Sequence, residues 1–245
     1  MLYKRGILIF ILLFIILSIL ALFILNKKIR PNLLIANRYD VCGIDVSHYQ
    51  GTIDWEKIEQ LDIDLAYIKA TEGSSFVDEN FSDNWEHAMK TSMFIGAYHF
   101  FSFESDGRTQ AEHYIQTVGD LEGKLVPVVD VEYYGNKKKQ ELDKNKIKQE
   151  LTDLLCTLES KYLKKPVIYT TYPAYHDFIR GSFDEYDLWI RNVYYSPNID
   201  MKGKWIYWQY TDRAEFHAYE GNEKYIDLNV YAGSMEDFCA YNHLK

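Results

Sequence analysis

The strongest constraint on the fold is a series of eight short, apolar, β-rich runs that recur after residue 40. Several of them are almost continuous in apolar residues, which is typical of strands that are buried on both faces. They predict eight strands at residues 43–47, 65–70, 94–100, 126–131, 167–171, 188–193, 205–210 and 225–230.

Helical patterns separate the first six of these runs, and the last three runs have no convincing helix between them. The longest pattern covers residues 147–162, with an apolar stripe opposite lysines and glutamates. Four shorter ones centre on residues 55–61, 81–89, 111–118 and 174–180. Five βα units followed by three strands predict an irregular TIM-like (β/α)5β3 barrel. An open, doubly wound sheet is the alternative.

A different pattern occupies the amino terminus, where residues 6–25 carry no charge. As a helix, a run of this length spans roughly 30 Å, the thickness of the hydrocarbon core of a bilayer. It is longer than the apolar region of a cleaved signal peptide, and no A-x-A pattern follows it. We expect a tail at residues 1–5, a transmembrane signal anchor at 6–25, a polar linker at 26–40 and a single domain at 41–245.

The charge of the chain argues against nucleic acid as a partner. The formal net charge is −9, and residues 1–38 contain six basic and no acidic residues. The remainder therefore holds 21 basic against 36 acidic residues, a net charge of about −15. A domain that acidic repels phosphate backbones.

The three cysteines predict neither a metal site nor a dense disulfide framework. None belongs to a C-x-x-C pair, so a zinc ribbon and a thioredoxin-like motif are absent from the sequence. Cys42 and Cys239 flank the domain and could meet, but the odd count favours buried free thiols.

Two carboxylates in one run give the sharpest chemical signal. Asp130 and Glu132 stand at i and i+2, so their side chains share one face of the predicted strand. Burying that face as packed core would carry a large desolvation cost. Proximity and partial burial should raise the pKa of one carboxyl and suit it to act as an acid at neutral pH. The alternative is a strand that runs into solvent with both acids hydrated.

Two further acids are expected at the same place. In such barrels the active site lies at the carboxyl ends of the strands. Asp45 and Asp227 come from the first and eighth strands, which are neighbours when a barrel closes, so four carboxylates would converge. A magnesium or calcium site is the rival explanation. No EF-hand or H-E-x-x-H pattern supports it, and we expect no metal and no cofactor.

Six segments of the sequence follow one another in a recognisable order. They are GIDVSHYQG at 43–51, YIKATEG at 67–73, GAYHF at 96–100, PVVDVE at 127–132, WQY at 208–210 and IDLN at 226–229. Together they resemble glycoside hydrolase family 25, the muramidases often called Chalaropsis-type lysozymes. The resemblance covers about residues 41–240 and implies a (β/α)5β3 barrel.

The resemblance implies hydrolysis of the β-1,4 bond between N-acetylmuramic acid and N-acetylglucosamine in peptidoglycan. It implies Glu132 as the general acid and Asp130 as its partner, with Asp45 and Asp227 completing the acidic site. The expected substrate-binding residues are Tyr98, Tyr169 and Trp208, with Lys69 and Gln209 as further candidates at strand ends.

One departure from the family pattern lies at the sixth strand. Family members often continue Leu-Trp-Ile with alanine, whereas this chain has Arg191. A bulky cation there could alter the sugar subsites or simply point outward.

Two alternative functions stay open. One is a chitinase-like hydrolase of another N-acetylated glycan, and the other is a glycan-binding barrel without catalysis. Because the expected partner is peptidoglycan, we expect the domain on the extracytoplasmic side of a single-pass membrane anchor. The positive-inside rule does not decide this orientation, since basic residues flank the apolar run on both sides.

Overall fold

The computed structural model describes residues 2–25, 32–197 and 205–244, and nine strands in it form one sheet. The strands are β1 (Cys42–Val46), β2 (Leu65–Glu72), β3 (Phe76–Val77), β4 (Phe94–Phe100), β5 (Val128–Val131), β6 (Val167–Thr171), β7 (Leu188–Arg191), β8 (Trp205–Ala214) and β9 (Ile226–Tyr231). Pairing of β1 with β2 closes eight of them into a barrel, and β3 only extends the end of β2. β9 lies antiparallel between β8 and β1, whereas the other barrel strands are parallel.

Helices cover the barrel between its first six strands. They are α3 (Trp55–Glu59), α4 (Phe81–Ala88), α5 (Gly107–Val118), α6 (Lys144–Tyr162) and α7 (Tyr172–Ala174), which continues as a π-helical turn at Tyr175–Ile179. Short 3-10 helices occupy His48–Gln50 and Lys137–Lys139, and α8 (Met235–Tyr241) follows β9. Within the described residues no helix joins β7 to β8 or β8 to β9. The predicted (β/α)5β3 architecture is therefore confirmed, and the open sheet is wrong.

Because side chains alternate between the two faces of each strand, the core has a part outside the barrel and a part inside it. Outward side chains such as Ile44, Ile68 and Val129 pack against the helices. Inward side chains such as Tyr67 and Trp189 fill the barrel. Gly96 makes room for this filling, because a Cβ atom there would overlap the ring of Tyr67.

Part of the predicted linker belongs to the folded domain. Residues 32–36 form helix α2 (Asn32–Ala36), and the buried side chain of Asn32 donates a hydrogen bond to the carbonyl oxygen of Tyr210. Ala36 packs with Trp208 and Tyr210 on the outer face of β8, where no βα helix covers the barrel. Residues 32–36 of the polar linker predicted at 26–40 thus form a helix that packs on the barrel, and residues 26–31 lie outside the described residues.

Helix α1 spans Leu2–Leu25. Across the parts of the chain that the structure describes, no helix combines the length and apolarity needed to cross a membrane. The structure thus gives no support to the transmembrane helix predicted at residues 6–25.

The cysteines carry free thiols in the structure. Cys42 and Cys239 are partly buried and unpaired, as the odd count predicted. Cys156 is exposed on α6, so the expectation that all three are buried is wrong.

Candidate active site

A cavity of about 390 Å³ opens at the carboxyl ends of the barrel strands. All four predicted carboxylates line it: Asp45 on β1, Asp130 on β5, Glu132 just after β5 and Asp227 on β9. Asp45 and Asp227 are direct partners in the β1–β9 register, as barrel closure predicts. The four acids that the sequence places at strand ends thus meet in one cavity.

A chain of hydrogen bonds inside the barrel orients Asp45. The indole Nε1 of Trp189 donates to Oδ1 of Asn229 at 2.9 Å. Because this bond fixes the amide, Nδ2 of Asn229 faces Asp45 and donates to its Oδ2 at 2.8 Å. Burial raises the pKa of Asp45 to about 6, against the lowering effects of Asn229 and the positive charge of Arg191.

Asp130 and Glu132 occupy different depths of the cavity. Asp130 is 8% exposed, and its Oδ1 has no hydrogen-bond partner. Burial, followed by the charge of Glu132, raises the pKa of Asp130 well above its ordinary value. Glu132 is less buried and lies one step nearer the opening. Burial also raises the pKa of Glu132, while the charge of Arg191 opposes the rise.

Asp227 is the fourth acid of the site whose pKa is raised. Burial and then the charge of Asp45 raise the pKa of Asp227 to about 8, although Arg191 lowers it. The four acids therefore hold their protons to higher pH than hydrated carboxylic acids do. Such a group of acids can donate a proton and stabilise positive charge on a substrate, as general acid catalysis requires.

Four of the five predicted substrate-binding residues lie on the inward face. Lys69, Tyr98 and Tyr169 line the cavity. Nζ of Lys69 forms an ion pair of 2.7 Å with Glu72. Gln209 is fully buried below the cavity, where its Oε1 accepts a hydrogen bond of 2.6 Å from the Tyr169 hydroxyl.

Trp208 is the exception, because the structure places it on the outside of the barrel. It is fully buried next to Tyr210 and α2, and its Nε1 donates to the carbonyl oxygen of Asn192 at 2.9 Å. Neighbouring residues of a strand point to opposite faces, so Trp208 and Gln209 cannot both face the cavity. The prediction that Trp208 binds substrate is not supported, and a structural role fits its contacts.

Arg191 points toward the site and not away from it. Its guanidinium donates to Oδ2 of Asp212 at 2.7 Å, and Asp212 lines the cavity. Arg191 lies on the inward face of β7 and is about one-third exposed. Its charge lowers the pKa of three of the acids, as described above, so it acts on the cluster electrostatically.

Several cavity residues were missed by the sequence reasoning. Asp212 lies on a part of β8 that extends beyond the predicted strand. Glu223 comes from the segment before β9, where no periodic pattern marks it. Tyr225 and Trp189 could have been found, because Tyr225 shares the alternation of Asp227 in the strand predicted at 225–230 and Trp189 that of Arg191 on β7.

The placement of possible metal ligands bears on the metal site that the sequence left as the rival explanation. Among the described residues, no group of three or more histidine, cysteine, aspartate or glutamate side chains is placed to hold a metal ion. The four carboxylates instead differ in burial and hydrogen bonding, as residues with separate tasks do.

Comparison with known proteins agrees with this geometry. Residues 44–218 match the model of glycosyl hydrolases family 25. A family 25 glycosyl hydrolase from Bacillus anthracis is 47% identical, with a TM-score of 0.79 over 84% of this chain and 94% of that one. Lysozyme M1 of Streptomyces globisporus is 29% identical over 84% of this chain and 72% of its own. The N,O-diacetylmuramidase of a Chalaropsis species is 26% identical over 78% of this chain and 95% of its own.

Proposed function

This chain belongs to glycosyl hydrolase family 25, and we propose that it is a muramidase that cleaves the β-1,4 bond between N-acetylmuramic acid and N-acetylglucosamine in peptidoglycan. A glycoside hydrolase activity follows from the family and from relatives named lysozyme and N,O-diacetylmuramidase. The particular bond and the roles of the residues are the proposal.

The observation that carries the proposal is the pairing of two acids with different surroundings. Glu132 lies near the opening with a raised pKa, so it is suited to protonate the oxygen of a departing sugar. Asp130 lines the cavity at a more buried position, and its buried Oδ1 has no hydrogen-bond partner. A buried polar atom without a partner is costly, and a ligand that supplies a donor removes that cost.

The acetamido group of N-acetylmuramic acid supplies such a donor. In the proposed first step its oxygen attacks the anomeric carbon while the bond to the leaving oxygen breaks, and Glu132 gives that oxygen its proton. Asp130 accepts the hydrogen bond of the acetamido N–H and stabilises the positive oxazolinium ring. Water then attacks the anomeric carbon as the bond from this carbon to the acetamido oxygen breaks. Glu132 takes the proton from the water, the acetamido group is restored, and the configuration is retained. In an inverting reaction, Asp45 or Asp227 would instead activate water.

The deciding experiment is digestion of purified peptidoglycan by the full chain, with identification of the new reducing end. A muramidase exposes N-acetylmuramic acid, and the anomer formed before mutarotation distinguishes retention from inversion. A new N-acetylglucosamine end, or cleavage of chitin alone, would replace the proposal with the chitinase-like alternative. No cleavage of either glycan would favour a binding barrel. Repeating the assay in excess chelator tests whether a metal takes part.

We also propose that the domain acts on the extracytoplasmic side of a membrane, attached through residues 6–25. This rests on the uncharged sequence of that run and on the position of peptidoglycan outside the membrane. Protease added to spheroplasts should digest the domain. Full protection of the domain in intact spheroplasts, with digestion after lysis, would place it inside.

A further inference from the structure

Beside the cavity lies a solvent-facing group of aromatic rings that the proposed chemistry does not use. Tyr49, in the 3-10 helix after β1, is 60% exposed, and Phe76, on β3, is 43% exposed. The ring of His48 stands between them, with its centroid 4.1 Å from that of Tyr49 and 6.1 Å from that of Phe76. We call Tyr49, His48 and Phe76 the aromatic rim.

A buried carboxylate holds the rim in place. The side chain of Asp78 is fully buried, and its Oδ2 lies 3.0 Å from the backbone nitrogen of His48 and 2.7 Å from Nδ1. Oδ1 of Asp78 accepts from the backbone nitrogen of Asn80 at 3.1 Å. Single exposed apolar residues are common and need no explanation. Here the buried carboxylate of Asp78 fixes the ring of His48 between the exposed rings of Tyr49 and Phe76.

The rim continues directly into the catalytic cavity. Tyr49, Lys69 and Phe100 line the cavity. Nζ of Lys69 lies 5.6 Å from the ring centroid of Phe76 and 5.0 Å from that of Phe100. Lys69 thus connects the rim to the cavity wall. A polymer bound across the acids and leaving on this side would pass over Tyr49 and Phe76.

We propose that Tyr49 and Phe76 form a subsite at the edge of the cavity that stacks a pyranose ring of the glycan strand, outside the sugars held at the four acids. Aromatic faces are apolar and carry partial negative charge, and the C–H groups on a pyranose face complement them. The inference rests on the proposed function for the identity of the strand. It adds that the protein favours long strands over short ones.

The test compares cleavage of short and long strands by the full chain. The substrates are a peptidoglycan tetrasaccharide and strands of about twelve sugars, and the variants are Tyr49→Ala, Phe76→Ala and the double variant. We expect KM for the long strand to rise about tenfold in the double variant and KM for the tetrasaccharide to rise by less, because only the long strand reaches both rings. Phe76→Ala, at a ring outside the cavity lining, should leave kcat unchanged. Tyr49→Phe and Phe76→Tyr keep a ring and should behave as wild type. Tyr195→Ala, at another exposed aromatic residue, is the matched control.

Equal KM values of wild type and double variant on long strands would overturn the subsite, as would equal losses on both lengths. A binding measurement distinguishes loss of the subsite from failure of the proposed function. If wild type cleaves no strand of any length, the muramidase proposal fails. Calorimetry with the same uncleaved strands then still reports whether the two alanine substitutions weaken binding of the longer one.

Discussion

The inward face of the barrel contains two layers that differ in how well their polar groups are satisfied. In the lower layer, the rings of Tyr67, Trp189 and Tyr207 pack with centroids 5.1–5.9 Å apart. The Tyr67 hydroxyl and the Trp189 indole donate to Val126 and Asn229. In the upper layer, buried carboxyls have raised pKa values, and Oδ1 of Asp130 has no partner. The lower layer stabilises the fold, whereas the unsatisfied polar groups of the upper layer reduce its stability, as those of functional sites commonly do.

The largest expected effect removes the proton donor from the upper layer. Glu132→Gln should lower kcat by about 10²–10⁴-fold, because the departing sugar oxygen then leaves without a proton. The free energy of unfolding should not fall, since a neutral amide replaces an acid that burial already disfavours in its charged form. Steady-state kinetics and denaturant unfolding measure the two quantities. Glu122→Gln, at an exposed surface position, is the control, and near-wild-type turnover by Glu132→Gln would remove Glu132 from its role.

The converse experiment targets the lower layer. Trp189→Ala should lower the free energy of unfolding by about 3–5 kcal/mol, because it leaves a cavity between Tyr67, Tyr169 and Tyr207. Trp85→Ala, at a half-buried position on α4, should cost less. Comparable losses in the free energy of unfolding of both variants would show that the lower layer contributes no more to stability than a half-buried position does.

A milder variant tests the link between the layers. Trp189→Phe keeps a ring but removes the indole donor that fixes Asn229, and through it Asp45. We expect the loss of transition-state stabilisation, calculated from the ratio of the kcat values, to exceed the loss in free energy of unfolding. A variant that retains full activity would show that Asn229 keeps its orientation without Trp189.

The two layers were not equally predictable from the sequence. Asp45, Lys69, Tyr98, Asp130, Tyr169 and Asp227 were predicted at the ends of their strands, and all six line the cavity. The period of two excludes Trp208 beside Gln209, because neighbouring residues of a strand point to opposite faces. Tyr225 could have been found in the same way, since it shares the alternation of Asp227 in the strand predicted at 225–230. Glu223 was not predictable, because it precedes β9 in an irregular segment whose path depends on tertiary contacts. One of these contacts is the bond from the backbone nitrogen of Glu223 to the carbonyl oxygen of Tyr49.

The N-terminal segment shows the same limit. Residues 32–36 read as a linker because five residues carry too little periodicity to predict a packed helix. What fixes α2 is the uncovered outer face of β8, where Trp208 and Tyr210 lie. That face is apparent only once the barrel is closed, so its covering segment could not be identified from local pattern.

A smaller effect follows from the raised pKa of Asp227. The pKa of about 8 in the folded state exceeds the ordinary pKa of 3.8, so the folded state binds more protons than the unfolded state between these pH values. Stability should therefore fall as pH rises from about 4 to about 8. Asp227→Asn removes the titrating group and should stabilise the protein at pH 8 by about 1–2 kcal/mol, with little change at pH 4. Thermal unfolding across this range measures the difference.

Asp83→Asn, the same substitution at an exposed position on α4, is the matched control. If Asp227→Asn has the same slope against pH as wild type, Asp227 is ionised in the folded protein at neutral pH. The upper layer would then hold one more charge than we infer.

The smallest expected effect concerns Arg191, whose charge opposes the raised pKa values of the upper layer. Arg191→Ala should shift the alkaline limb of the kcat/KM profile to higher pH by roughly half a unit, because the acids lose a neighbouring cation that favours ionisation. The shift stays small because the guanidinium is partly exposed and already paired with Asp212. Asp212→Asn should move the limb to lower pH, since the charge of Asp212 raises the pKa of Asp227. A mere loss of packing would give both variants the same change in activity at every pH. Opposite shifts that cancel in the double variant would instead establish that this ion pair sets the proton affinity of the acids.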